Sequence, residues 1–83
     1  MQRIIFKSNP ENFRKEYLGL KKNTIRHFDG TKDDIREVIL NDWIDNEKTM
    51  IEIEIQNKET NELFVRTVTD VTYYEGWYII SWN

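Results

Sequence analysis

From residue 51 onward apolar side chains recur at every second position, and that period commits the C-terminal part of the chain to sheet. Ile51, Ile53 and Ile55 alternate with Glu52 and Glu54, which predicts a half-exposed strand with a charged outer face. A polar, turn-rich link over 57–62 follows. Phe64, Arg66, Val68 and Asp70 then alternate with Val65, Thr67, Thr69 and Val71. Two such runs across a short polar link predict an antiparallel hairpin. Glu75 and Gly76 break the pattern. The closing run Trp77, Tyr78, Ile79, Ile80, Ser81, Trp82 is apolar on both faces, so it belongs centrally in the sheet or closes a barrel. The Ile51/Ile53/Ile55 strand, were it at an edge, could pair with a second copy, and its charged outer face would oppose that.

The first half is mixed. Ile4, Ile5 and Phe6 predict a first strand. Ser8-Asn9-Pro10-Glu11 reads as a helix start: Asn9 (or Ser8) as N-cap, Pro10 at the first helical position, Glu11 facing the positive end of the dipole. Phe13, Tyr17 and Leu20 supply an apolar stripe, and Gly19 ends the helix. At about ten residues this helix depends on packing rather than propensity. Ile25 among polar neighbours predicts a short strand with a polar face, and Asp29-Gly30 a turn. Thr31 is placed to cap a second helix running to about Ile44, with Ile35, Val38, Ile39 and Trp43 on its inner face. Together these elements predict one α+β domain over 1–83: a small, mostly antiparallel β-barrel or curved sheet with two helices.

A chain of 83 residues buries only roughly 60–65% of its unfolded surface. Three Trp, four Tyr and four Phe offset that, because aromatic rings bury large areas. We read Trp43, Trp77 and Trp82 as core. There is no cysteine, so neither a disulfide framework nor a thiolate metal site is available. The single histidine, His27, cannot hold a metal alone; no metal and no cofactor are expected. No apolar run approaches the ~20 residues of a membrane span, and residues 4–6 are too short for a signal-peptide core. A soluble, cytoplasmic protein without a membrane partner is the expectation.

Charge is unevenly spread. Residues 1–30 hold seven basic and three acidic side chains, a net of +4; residues 31–83 hold five and twelve, a net of −7, and the sum is −3. Such asymmetry suits a phosphate-facing side and an acidic side.

The stretch Gly19-Leu20-Lys21-Lys22-Asn23-Thr24-Ile25-Arg26, a helix ending in Gly followed by Lys-x-x-Thr-Ile-Arg, resembles the entry to the ASCH domain of the PUA-like superfamily. Val65 to Val71 with the closing Trp77–Trp82 strand resembles the last two strands of that barrel. The whole chain also looks like small phage or prophage proteins with a Phe-Lys-Ser-x-Pro-Glu-Asn opening and an Ile-Ile-Ser-Trp close; for such a protein the compartment would be the host cytosol. The resemblance implies a cleft lined by the Lys and Arg, and an RNA or nucleotide-like ligand. Lys21, Lys22, Thr24 and Arg26 would bind it, with Tyr73 and Tyr74 near the mouth to stack on a base.

Some small ASCH proteins are amidohydrolases that deacetylate acetylcytidine with a Lys, a Thr and a Glu. Lys21 and Thr24 match the first two. Glu75 is the only acid in the shortened connection where the third would stand. Duller roles stand beside these. Lys21 and Lys22 suit a helix C-terminus. Thr24 suits a strand, and Arg26 could pair with Asp70 or Glu52. A different class of function, binding a host or phage protein through the acidic face of residues 31–83, is also open.

Overall fold

The computed structural model describes residues 2–30, 33–46 and 49–83. Five strands and two helices follow in the order β1 (Gln2–Ser8), α1 (Pro10–Tyr17), β2 (Asn23–Arg26), α2 (Ile35–Asn46), β3 (Ile51–Asn57), β4 (Leu63–Tyr74) and β5 (Trp77–Trp82). The strands form one curled sheet in the order β1-β3-β4-β5-β2. β1 runs parallel to β3, and every other pairing is antiparallel. The isoleucine strand β3 is therefore interior, and the edges are β1 and β2. The doubly apolar β5 sits between β4 and β2, as its composition requires.

Ile4, Phe6, Ile51, Ile53, Ile55, Phe64, Val68, Val71, Tyr78, Ile80 and Trp82 turn to the concave face, where Phe13 of α1 and Ile39 and Leu40 of α2 cover them. Each fully buried isoleucine contributes about 1.5–3 kcal/mol. The alternating glutamates of β3 lie on the other face, where Arg3 pairs with Glu52 at 3.2 Å and Glu54 at 3.3 Å; Glu54 is buried at 7% exposure, so the strand is not half-exposed as its pattern predicts.

The local signals act as their chemistry predicts at α1. The Asn9 side chain accepts from the Asn12 amide at 2.9 Å, and Pro10 opens the helix. At the other end Gly19 takes φ +75°; its amide donates to the Glu16 carbonyl and that of Leu20 to the Lys15 carbonyl, a Schellman closure. Leu20, however, is 77% exposed and leaves the predicted stripe. Tyr17, at 53% exposure, is not buried either, so Glu16 is the helix's other buried residue beside Phe13.

The second helix differs more. It starts at Ile35; Thr31, expected as its cap, lies outside the described residues. Asp34 serves the first turn instead, its carboxylate accepting from the Arg36 amide at 2.9 Å. Ile39, Leu40, Trp43 and Ile44 face the sheet, while Ile35 and Val38 are exposed. At about 100° per residue the first four form one contiguous arc and Val38 lies nearly opposite it. Trp77 also departs from expectation: it is 46% exposed, with its ring edge-on to His27 at 4.5 Å. Among the described residues no helix is long and apolar enough to cross a membrane.

Candidate functional site

The sheet curls but does not close by strand pairing, since β1 and β2 bond only to β3 and β5. Between these two edges lies a cleft of about 250 Å³. β1 contributes Lys7 and Ser8, α1 with its cap contributes Asn9, Asn12 and Glu16, and β2 contributes Thr24, Ile25 and Arg26. Lys21, from the link between α1 and β2, and Lys58, from the turn after β3, complete the lining.

Arg26 is the organising group. Its Nε donates to the Thr24 hydroxyl at 2.9 Å, one terminal nitrogen to the Lys7 carbonyl at 2.8 Å, and the other to Ser8 Oγ at 2.7 Å. The guanidinium also lies 4.9 Å from the centre of the Phe6 ring. Arg36 repeats the arrangement one step along, donating to the Ile5 carbonyl at 2.8 Å with its guanidinium 4.6 Å from the same ring. Two arginines thus satisfy carbonyls on the open edge of β1, a task a fixed fork of donors performs better than an ammonium. Burial holds the Arg26 guanidinium below its ordinary value. The Glu16 carboxylate offsets part of that shift and neighbouring Arg36 adds to it. Neither Asp70 nor Glu52, the partners considered from sequence, bonds to Arg26; Glu52 is held by Arg3.

A hydrogen-bond relay runs inward from Arg26. An arginine has donors only, so Ser8 Oγ must accept from it. The one hydroxyl proton of Ser8 is then donated to Glu16 Oε1, at 2.9 Å. Glu16 is 1% exposed, and its other oxygen, Oε2, finds no hydrogen-bond partner among the described residues.

Of the residues expected from sequence, Lys21, Thr24 and Arg26 line one cleft. Lys22 is exposed and outside the lining. Tyr73 packs on Tyr78 with ring centres 5.0 Å apart, and Tyr74 is 66% exposed beside Trp77 on the other face of the hairpin; neither lines the cleft. Glu75 stands at the hairpin tip with φ +47° and also lies outside the lining. The acidic residue in the cleft wall is Glu16, at 1% exposure. Sequence reasoning missed it, along with Lys7, Ser8 and Lys58. The available signal was a glutamate three residues after Phe13, on the same face of the helix.

Electrostatically the cleft opposes the molecule that carries it. Lys7, Lys21, Lys58 and Arg26 face one carboxylate, Glu16, a formal 4 − 1 = +3 within a chain of net −3. Thr24 is buried, with its hydroxyl engaged by Arg26. Compared with protein-family models and with curated proteins, the sequence matches none.

Proposed function

We propose that the domain is a small binding module of ASCH or PUA-like type whose cleft takes an RNA or nucleotide-like ligand, the phosphate meeting Lys7, Lys21 and Lys58. The supporting observation is the concentration of four cations and several hydrogen-bonding side chains in one concavity of an otherwise acidic protein. At about 250 Å³ the cleft falls below the ~300–1,000 Å³ typical of drug-sized ligands, which suits one nucleotide or one base splayed from a strand.

The test is a titration followed by amide NMR, with short single-stranded RNA and with mononucleotides at low and moderate salt. Shifts should concentrate on residues 7–16, 21–26 and 58. RNA affinity should fall with salt at a logarithmic slope of about −2 if each of the three lysines neutralises a phosphate. Absent or salt-insensitive binding overturns the reading. Acetate release from acetylcytidine is the companion assay, and none is expected, because Glu75 lies outside the cleft and Glu16, the acid in its wall, is only 1% exposed.

The acidic half supports a second reading, a phage-type protein that docks on a host or phage protein. Exposed Ile35 and Val38 lie in a groove on α2 edged by Asp33, Asp34 and Glu37, which fits a basic, amphipathic segment. A Val38→Asp variant should abolish capture of such a partner; unchanged capture would sink this alternative.

A further inference from the structure

We infer that the cleft continues onto the convex face of the sheet as a base-stacking strip, so that its ligand is a single strand of RNA with bases lying on Trp77 and Tyr74. The inference rests on the nucleotide reading above and concerns what takes the bases beside the bound nucleotide.

Ile25 is the link. Side chains alternate along a strand. On β2 Thr24 is buried and Ile25 is 52% exposed, so Ile25 stands on the convex face while it also lines the cleft. Its register partner on β5 is Ile79. Two residues on from Ile25 and on the same face, His27 lies against Trp77, and Trp77 pairs in turn with Tyr74 of β4. Neighbouring strands lie about 4.8 Å apart, so Trp77 stands one strand in from the cleft edge and Tyr74 two. Trp77 is 46% exposed and Tyr74 66%. The core does not use them, because β5 is anchored on the concave face by Tyr78, Ile80 and Trp82. An edge-on contact with His27 occupies at most one face of the indole.

Size and charge together select the occupant. At these exposures, with about 150–250 Å² per aromatic side chain, the two residues present roughly 250 Å², far below the ~800 Å² per partner of a stable protein interface. A second copy of the chain is therefore a poor fit, whereas one or two bases are a good one. Cations sit at one end only: Lys7, exposed between buried Phe6 and Ser8, shares the convex face on the opposite edge of the cleft. Phosphates belong at that end, since Glu75 at the hairpin tip repels them from the other. The strip meets π-faces and not base edges, so it accepts any base.

The test is titration of the intact protein with a short oligouridylate and with an abasic strand of the same length. Binding is followed by anisotropy of the labelled strand and by tryptophan emission. Trp82 is buried and Trp43 packs against the core, so quenching reads Trp77. The oligouridylate should quench, and should bind about tenfold tighter than the abasic strand, the size of one stacked base. Trp77→Ala should weaken the oligouridylate by the same factor, leave the abasic strand unchanged, and keep the salt slope, because no phosphate contact is removed. NMR dispersion checks that the variant folds; should it not, Tyr74→Ala and the comparison of the two strands on the unaltered protein still decide. Equal affinity for both strands, without quenching, overturns the strip and leaves the anion cleft standing. Trp77 emission that shifts with protein concentration alone overturns it in favour of a second copy. No binding of either strand overturns the cleft reading and the inference together.

Discussion

Arg26 is where one residue's chemistry carries both shape and site. It joins a hydroxyl on its own strand to a carbonyl and a hydroxyl on the opposite edge of the sheet, so it closes by side chain what strand pairing leaves open. Lysine at this position keeps the charge but loses the fork. Arg26→Lys should destabilise the domain by on the order of 2 kcal/mol, the scale of losing charge-assisted hydrogen bonds whose acceptors are partly buried. Urea unfolding measures it, and amide exchange should quicken at residues 5–8. An unchanged midpoint would show that the edges stay together without the bridge.

Arg36 gives a second test at the same scale. Its guanidinium and amide hold the Asp34 carboxyl below the usual value, the Arg36 side chain acting most strongly. A folded-state value below the unfolded one means the carboxylate stabilises the fold at pH above the ordinary aspartate range. That contribution is lost as pH falls through the depressed folded value. Stability measured between pH 6 and pH 3 should decline less steeply in Asp34→Asn than in the unaltered protein. Parallel profiles would exclude the pair as a source of acid lability.

At the level of elements, the β4–β5 hairpin depends on a two-residue turn with φ +47° at Glu75 and +88° at Gly76, both positive as a type I′ turn requires. Nothing lies within 4 Å of a side-chain carbon built on Gly76, so substitution there meets backbone strain and no clash. Gly76→Ala should cost about 1–2 kcal/mol, read from the shift in the denaturation midpoint. The same elements show what was legible in advance. Strands, caps and the hairpin follow from local chemistry: alternation over 51–82, Asn9-Pro10, Gly19, Glu75-Gly76. The inner face of α2 does not, because six apolar residues from Ile35 to Ile44 leave no single stripe and only the sheet decides which four are covered. The cleft was half legible. Lys21, Thr24 and Arg26 lie close together in sequence, but Lys7, Ser8, Glu16 and Lys58 join them only because β1 pairs parallel with β3 and brings the Lys58 amide to the Ser8 carbonyl at 2.9 Å. Pairing across 50 residues leaves no local signature.

For the whole molecule, the sign of the field at the cleft is opposite to the net charge, and that contrast separates a binding role from a scaffold role. Lys7 and Lys58 are exposed and Lys21 is half-buried, and none of the three side chains makes an ion pair among the described residues. Exposed lysines contribute little to folding, so replacing all three by glutamine should move stability by less than about 1 kcal/mol. The triple variant Lys7→Gln/Lys21→Gln/Lys58→Gln should nevertheless bind RNA far more weakly, and its salt slope should flatten toward zero, because the counterions that binding displaces are those held against the phosphates these lysines meet. Association should slow as well, since the acidic remainder of the surface would repel a polyanion with no positive cleft to offset it. An unchanged affinity and slope would mean that phosphate is held elsewhere on the molecule. A lost fold would mean that the lysines are structural.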